Sequence, residues 1–223
     1  MHGSTWPGAD AALDVVQGEL HQICRRMGVQ PPDVRIVQSV GRGRAGDDTT
    51  ADVRKLRTDA CGCIRMPRRV VTDCPPDGLR WLLAHEMGHI ADRNPRLTFL
   101  RRMFMVTAFA LLLAALVAAV SAATGAAANG GELLVVLLVL AGLLAISGRS
   151  WVRRREEHSA DRFAVSHLGS MQGAESYFAF IQAARGPAGR NRTGPLLKPV
   201  LWLMRTHPST ASRIAGMRQE LRN

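Results

Sequence analysis

The sequence predicts a mainly α fold with a small β-sheet (α+β), into which a transmembrane helical hairpin is inserted. Three observations lead there. Apolar residues recur at helical spacing towards both ends of the chain, two short stretches read as strands, and two long uncharged runs in the middle are bracketed by arginines. At 223 residues the chain suffices for one domain of ordinary size with its own core. Internal repeats are not visible.

From Ala9 to Met27 the residues Ala12, Leu13, Val16, Leu20, Ile23 and Met27 share one helical face, and Gly28 is a natural stop. Pro31-Pro32 breaks this helix, and Val34 to Val40 alternates in the manner of a half-buried strand. A glycine- and aspartate-rich loop, Gly41 to Asp48, follows. The second extended stretch runs from about Cys61 to Thr72, with Ile64, Met66, Val70 and Val71 as its apolar positions and Pro67 suggesting an edge or a bulge. Thr72 or Asp73 would then cap a helix with Pro75 and Pro76 in its first turn and Asp77 near the positive end of its dipole. Leu79, Leu82, Leu83, Met87 and Ile90 form the buried stripe of that helix; Trp81, His85 and His89 form another, and Asn94-Pro95 ends it.

Met103 to Ala123 carries no charge and has the length, about 20 residues, that a helix needs to cross the hydrocarbon of a bilayer. Leu133 to Gly148 is also uncharged but shorter, at or just below the usual minimum of about 17 residues. Thr124 to Gly131 reads as a tight turn between them. A membrane hairpin is the natural reading, and a buried hairpin in a soluble protein is the alternative. Arg93, Arg96, Arg101 and Arg102 flank one end of the hairpin and Arg149, Arg153, Arg154 and Arg155 the other, whereas the turn has no basic residue. Positive charge stays on the cytoplasmic side, so both ends should face the cytosol. Beyond the hairpin a helix is expected over Arg153 to Leu168 with Gly169 as its stop, and a further one from about Gly173 to Ala184. Gly186 to Pro199 is a polar loop, and a short segment around Val200 to Met204 leads to Thr206–Ile214 and a last basic helix. The corresponding division is 1–102, an N-terminal helix, small sheet and motif helix; 103–148, the hairpin; and 149–223, the returning part of the same domain.

The formal net charge of +11 is carried almost wholly by arginine, with Lys55 and Lys198 the only lysines. Such an excess favours an anionic partner, either nucleic acid or an acidic membrane surface. Its crowding around the apolar runs, with one tyrosine and no basic run interleaved with aromatics, argues for lipid bilayer with anionic headgroups and against nucleic acid. Cys24, Cys61, Cys63 and Cys74 do not make a disulfide framework, and Cys61-Gly-Cys63 is too tight for a usual zinc knuckle, so free thiols in a reducing compartment are expected. Met1 to Gln17 lacks a basic cluster followed by an apolar core, so membrane attachment is expected from an internal segment.

His85-Glu86-Met87-Gly88-His89 carries the chemistry. On a helix it sets two imidazoles one turn apart on one face with a carboxylate between them, an arrangement that binds zinc and activates a water. A catalytic metal needs a third protein ligand and an open position, and Glu157 can supply an oxygen. Asp161, one turn further along the same face, could accept the second ring N–H of a ligating histidine and fix its tautomer. Glu86 can accept a proton from water and pass it to the leaving amine. For a second donor to the developing oxyanion, His207 and Arg213 are the candidates. His158 points about 100° from Glu157 on a helix and is not expected to ligate. His2, His21 and His167 are read as surface or packing residues.

With these residues in view, the chain resembles the integral-membrane zinc metallopeptidases related to HtpX and the CAAX prenyl proteases. The resemblance rests on His85-Glu-Met-Gly-His89, on Arg154-x-x-Glu157-x-x-Ala160-Asp161, and on Thr206-His207-Pro208 ending in Arg213-Ile214, and spans roughly Val70 to Ile214. It implies a zincin-type core of the gluzincin class, a single zinc ion held by His85, His89 and Glu157, Glu86 as catalytic base, and His207 and Arg213 near the substrate. It also implies a sheet edge that takes up an extended peptide, and an active site facing the cytoplasm. With neither a signal nor organelle-type targeting features in view, a bacterial inner membrane is the default expectation. HtpX-like proteins usually begin with a further transmembrane pair, where this chain has an amphipathic helix. The asparagine-containing edge-strand signature is replaced by Ala60-Cys-Gly-Cys63, and Asn94 stands where an aspartate is common. The expected activity is zinc-dependent endoproteolysis of misfolded or membrane-associated proteins, with protein or peptide substrates. The alternative is a non-catalytic, membrane-anchored partner-binding protein on the same scaffold.

Overall fold

The computed structural model describes residues 9–37, 57–58, 63–92, 94–124, 131–185 and 207–222. The loop expected at Gly41–Asp48, most of the hairpin turn, the polar stretch 186–199, the segment around Val200–Met204, Cys61 and Lys55 lie outside these residues. The architecture is mostly helical with one small sheet and two long apolar helices, the α+β class with a helical insertion. The chain divides into two compact units: Met1–Asp92 with His158–Asn191 and Ser209–Asn223, and Arg93–Glu157 with Arg192–Pro208.

In the first unit, α1 (Ala9–Met27) buries Val16, Leu20, Ile23 and Cys24, the face its apolar spacing marks out. Gly28 closes it in the left-handed region at φ 67°, and Val29 N–H then reaches back to the Cys24 carbonyl at 3.1 Å. Three strands follow, β1 (Val34–Val37), β2 (Arg57–Thr58) and β3 (Ile64–Pro67). The sheet order is β1-β3-β2, with β3 parallel to β1 and antiparallel to β2. Pro67 therefore ends the central strand rather than marking an edge, facing Val37 at the last ladder position. A missing N–H is tolerated there because the chain leaves the sheet at the next residue.

The extended stretch also stops earlier than expected. Arg68–Asp73 forms a short helix, α2, with Pro67 at its N-cap and Val70 buried. Adjacent β-branched Val70 and Val71 suggest a strand by composition, but the proline presets a helix start and packing decides. Thr72 and Asp73 consequently belong to α2 and do not cap the motif helix; the Thr72 hydroxyl donates to Asp73 Oδ1 at 2.6 Å. The motif helix α3 (Pro76–Ala91) starts instead on Pro75 with no side-chain cap. Asp77 lies in its first turn and accepts from Gln172 Nε2 at 3.0 Å, which ties α3 to α6 (Gln172–Arg185). Trp81, Leu82, Leu83 and Met87 of α3 join residues from α1, β3, α6 and α7 (Thr210–Glu220) in one core. Burial raises the Cys24 thiol pKa and pushes that of Cys74 up to about 12, so both behave as small apolar core residues; with Cys63 they are free thiols.

In the second unit, α4 (Pro95–Ala123) is capped by Asn94, whose Oδ1 accepts from Arg96 N–H at 2.9 Å. The returning helix α5 runs unbroken from Gly131 to Leu168, 38 residues, so the helix expected from Arg153 is the continuation of the second apolar run. Nothing between Gly148 and Arg153 can stop it: no proline occurs, and a lone glycine is tolerated. Small residues let α4 and α5 approach, with Ala108, Ala115 and Ala145 buried and Gly142 set against Leu112. Phe109, Leu116, Leu140 and Leu144 point away from the pair, 56–73% exposed. Both helices are long and apolar enough to cross a membrane. At about 1.5 Å per residue α5 far exceeds a hydrocarbon core of about 30 Å, so only its apolar part, ending near Gly148, has membrane character.

Candidate metal centre

Helix α3 is the scaffold of the centre. His85 and Glu86 are buried within it, and one ligand-capable atom from each of His85, Glu86 and His89 lies within 4.8 Å of the others. The two imidazoles meet edge to face with centroids 4.7 Å apart, as the i, i+4 spacing dictates. Two nitrogens and one carboxylate in a buried setting suit a borderline divalent ion such as zinc.

The surroundings of His85 fix its ring. Its Nδ1 lies 2.9 Å from Asp161 Oδ1, both side chains being 5% exposed or less. Arg213 donates to the same carboxylate through Nε at 2.7 Å and Nη2 at 2.6 Å, a two-pronged grip that matches guanidinium to carboxylate geometry. Nη2 is also 3.4 Å from His85 Nδ1. One nitrogen cannot donate to Asp161 and accept from Arg213 at once, and the shorter, charge-assisted contact wins: Nδ1 carries the proton, which makes Nε2 the ring atom with a lone pair suited to a metal. Burial acts to raise the Asp161 pKa, but the hydrogen bonds from Arg213 and His85, together with the Arg213 charge, prevail and hold it below the usual carboxylate range. Asp161 sits on the polar C-terminal part of α5, beyond its membrane-like portion.

Two aromatic faces complete the enclosure. Trp81, one turn before His85, stacks on it with centroids 5.3 Å apart and planes 27° from parallel. The Arg213 guanidinium carbon lies 5.6 Å from the Trp81 ring centroid and 5.0 Å from that of Phe178. Ser209 supports this by accepting from Ser212 N–H at 3.1 Å, starting α7 so that Arg213 falls in its first turn. Asp92, just beyond α3, accepts from the Ser159 hydroxyl and holds α5 at the end of the motif helix.

Gly88 is what lets α5 come so near. A Cβ there would meet the Ala160 Cα at 2.9 Å and the Phe163 Cβ at 3.2 Å. The glycine inside the motif and the alanine before Asp161 thus set the approach that joins Asp161 to His85. Gly88→Ala should lower stability by about 1–3 kcal/mol through this crowding and weaken metal retention with it. A thermal melt and a chelator competition check both; an unchanged melting temperature would show that the helices can part without cost.

In the second unit, the Glu157 carboxylate, 14% exposed, lies 3.2 Å from His207 Nδ1, while His207 is itself 64% exposed. Within the first unit His85, Glu86 and His89 stand with Asp161 and Arg213; within the second, Glu157 stands with His207. Arg213 spends two of its N–H groups on Asp161, a role its place in the sequence does not disclose. Trp81 as a face for His85 was signalled by its i−4 position; Gly88 and Ala160 only by their small size. His158 has its Nε2 3.4 Å from the Ser212 hydroxyl, and His167 stacks on Phe163 with centroids 6.0 Å apart. His21 bonds the Gln17 carbonyl at 2.7 Å, a contact within its own helix.

No solved structure matches the chain. The sequence model of peptidase family M48 matches residues 62–221, well over half of the chain, and takes in the motif helix, the block around Asp161 and the segment that supplies Arg213. With its metal-binding group carried in that span, the chain belongs to peptidase family M48, a family of metallopeptidases.

Proposed function

We propose that this metallopeptidase is a zinc-dependent endopeptidase of the HtpX-like type, anchored in a bacterial inner membrane by α4 and α5, with its peptidase domain on the cytoplasmic side and misfolded or membrane-associated proteins as substrates. The observation that carries the reading is the cluster of buried His85 and Glu86 with half-buried His89, backed by the Asp161–Arg213 pair on His85 Nδ1. The exposed apolar residues of α4 and α5 support the anchoring, because faces of that size in water would associate. Arginines at both ends of the pair, with none in the turn, support the orientation.

His85, His89 and Glu157 would hold one zinc ion. When bound, it supplies Lewis acidity that polarises the scissile carbonyl and acidifies an attacking water. Glu86, held beside both imidazoles by α3, takes the proton from that water and returns it to the leaving amine. His207 is the candidate donor to the oxyanion, and its pairing with Glu157 ties it to the carboxylate assigned to the ion. Asp161 keeps His85 in the tautomer that presents Nε2, and Arg213 keeps Asp161 ionised and oriented. In this scheme Arg213 acts through Asp161 rather than on the oxyanion.

Metal analysis and casein cleavage test the reading together. The purified full chain should contain about one zinc, lose cleavage on chelation and regain it on zinc addition. Cleavage that persists after complete demetallation would reject the mechanism. Glu157→Ala should bring the zinc content close to zero at chelator concentrations the parent chain withstands; full retention would exclude Glu157 as the third ligand.

A further inference from the structure

At the base of the hairpin, in the second unit, lies a group of guanidiniums that the peptidase reading leaves unused. Arg149 and Arg153 are one helical turn apart on α5, both half-buried. Arg101 of α4 is brought to the same place by its ion pair with Glu156 at 3.0 Å. Burial lowers the Arg153 pKa, the charges of Arg101 and Arg149 lower it further, and the nearby Glu157 and Glu156 carboxylates offset this only in part. Glu156 is engaged by Arg101 and Glu157 by His207. Arg149 Nε is fully covered and has no hydrogen-bond partner among the described residues. Half-buried charges that crowd one another with too few carboxylates to balance them are costly, and a bound anion would lower that cost.

The depth of the cluster says which anion. It begins directly after the uncharged run that ends at Gly148, beside the apolar faces of α4 and α5. Trp151, 53% exposed, lies at the same level of α5, with the Arg155 guanidinium carbon 5.7 Å from its ring centroid. An exposed tryptophan at the end of an apolar helix marks the headgroup layer of a bilayer, where lipid phosphates lie. Guanidinium forks suit a phosphate better than ammonium groups do, since they can bond two of its oxygens at once.

We propose that Arg149 and Arg153, with Arg101 beside them, form a binding site for the phosphate of an anionic glycerophospholipid at the cytoplasmic end of the hairpin. The proposal rests on the membrane-anchored reading above and is independent of the peptidase chemistry. The bound headgroup neutralises the cluster, and it secures the stretch of α5 that leads directly into Glu157 and Asp161.

The test uses the full chain in a non-ionic detergent, offered phosphatidylglycerol and phosphatidylcholine of the same acyl chains, with retained lipid read by native mass spectrometry. Phosphatidylglycerol should be retained in preference, and Arg149→Gln/Arg153→Gln should lower its retention about thirtyfold. Arg25→Gln/Arg218→Gln, which removes the same charge from exposed positions of the first unit, should leave it unchanged. Arg149→Lys/Arg153→Lys guards against misfolding of the glutamine pair and should keep most of the preference, since charge is preserved. Equal retention of both lipids by the parent chain, or of phosphatidylglycerol by the parent and the glutamine pair, would overturn the site. So would displacement of the lipid by millimolar inorganic phosphate, which would make free phosphate the ligand. Alkaline carbonate extraction of membranes separates the two readings: a chain that stays in the pellet without lipid preference loses the site and keeps the anchor, whereas a chain released to the supernatant loses both.

Discussion

Glu86→Gln should leave the zinc content of the purified chain unchanged and lower casein cleavage by about 10²–10⁴-fold, the range that general acid–base catalysis contributes. The substitution is nearly isosteric, so the packing of a side chain only 6% exposed in the middle of α3 is kept. What changes is basicity: an amide cannot take a proton from water at neutral pH. The prediction has a sharp alternative, because the Glu86 carboxylate lies within 4.8 Å of the ligand atoms of His85 and His89 and could itself bind the ion. A Gln variant that loses zinc along with activity would make Glu86 a ligand and leave the proton transfer without an agent. A variant that cleaves at the parental rate would favour a partner-binding protein on a metallopeptidase scaffold.

Much of this was legible in the residues because short-range rules dominate there. The i, i+4 spacing of His85 and His89 needs only a helix to become a metal-facing pair, and α1 runs over the residues its apolar period marks. Local propensity misled where two signals competed. Val70 and Val71 suggest a strand, yet the proline before Arg68 starts a helix; Thr72 and Asp73 look like caps but serve the short helix before them. Pro67 suggests an edge, and only the pairing partners on both sides reveal a central strand. The Asp161–Arg213 pair joins residues 52 apart in sequence, and no periodicity encodes a contact that depends on α5 and α7 reaching α3 together. Gly88 and Ala160 are silent for a related reason. A small residue announces only that something can come close, and the structure must say what does.

Asp161→Ala should damage both the fold and zinc binding, and its combination with Arg213→Ala shows why. Removing the carboxylate leaves the Arg213 guanidinium, 12% exposed, without its paired acid, and uncompensated buried charges of this kind cost about 3–5 kcal/mol. It also frees the His85 ring to rotate or to take the other tautomer, which should weaken zinc binding about 10–100-fold. Arg213→Ala should act through the same route, since the arginine holds Asp161 and reaches His85 chiefly through it. The double substitution should therefore cost clearly less than the sum of the singles, with a coupling of about 0.5–3 kcal/mol in stability and overlapping losses in zinc affinity. Chemical denaturation and chelator competition on the three variants measure both. A direct role for Arg213 at the oxyanion predicts a different pattern: Arg213→Ala would then lower kcat with zinc affinity and stability intact, and its effect would add to that of Asp161→Ala. Trp81 and Phe178 favour the first pattern on physical grounds, because two aromatic faces within 5.6 Å hold the guanidinium where its fork meets the carboxylate.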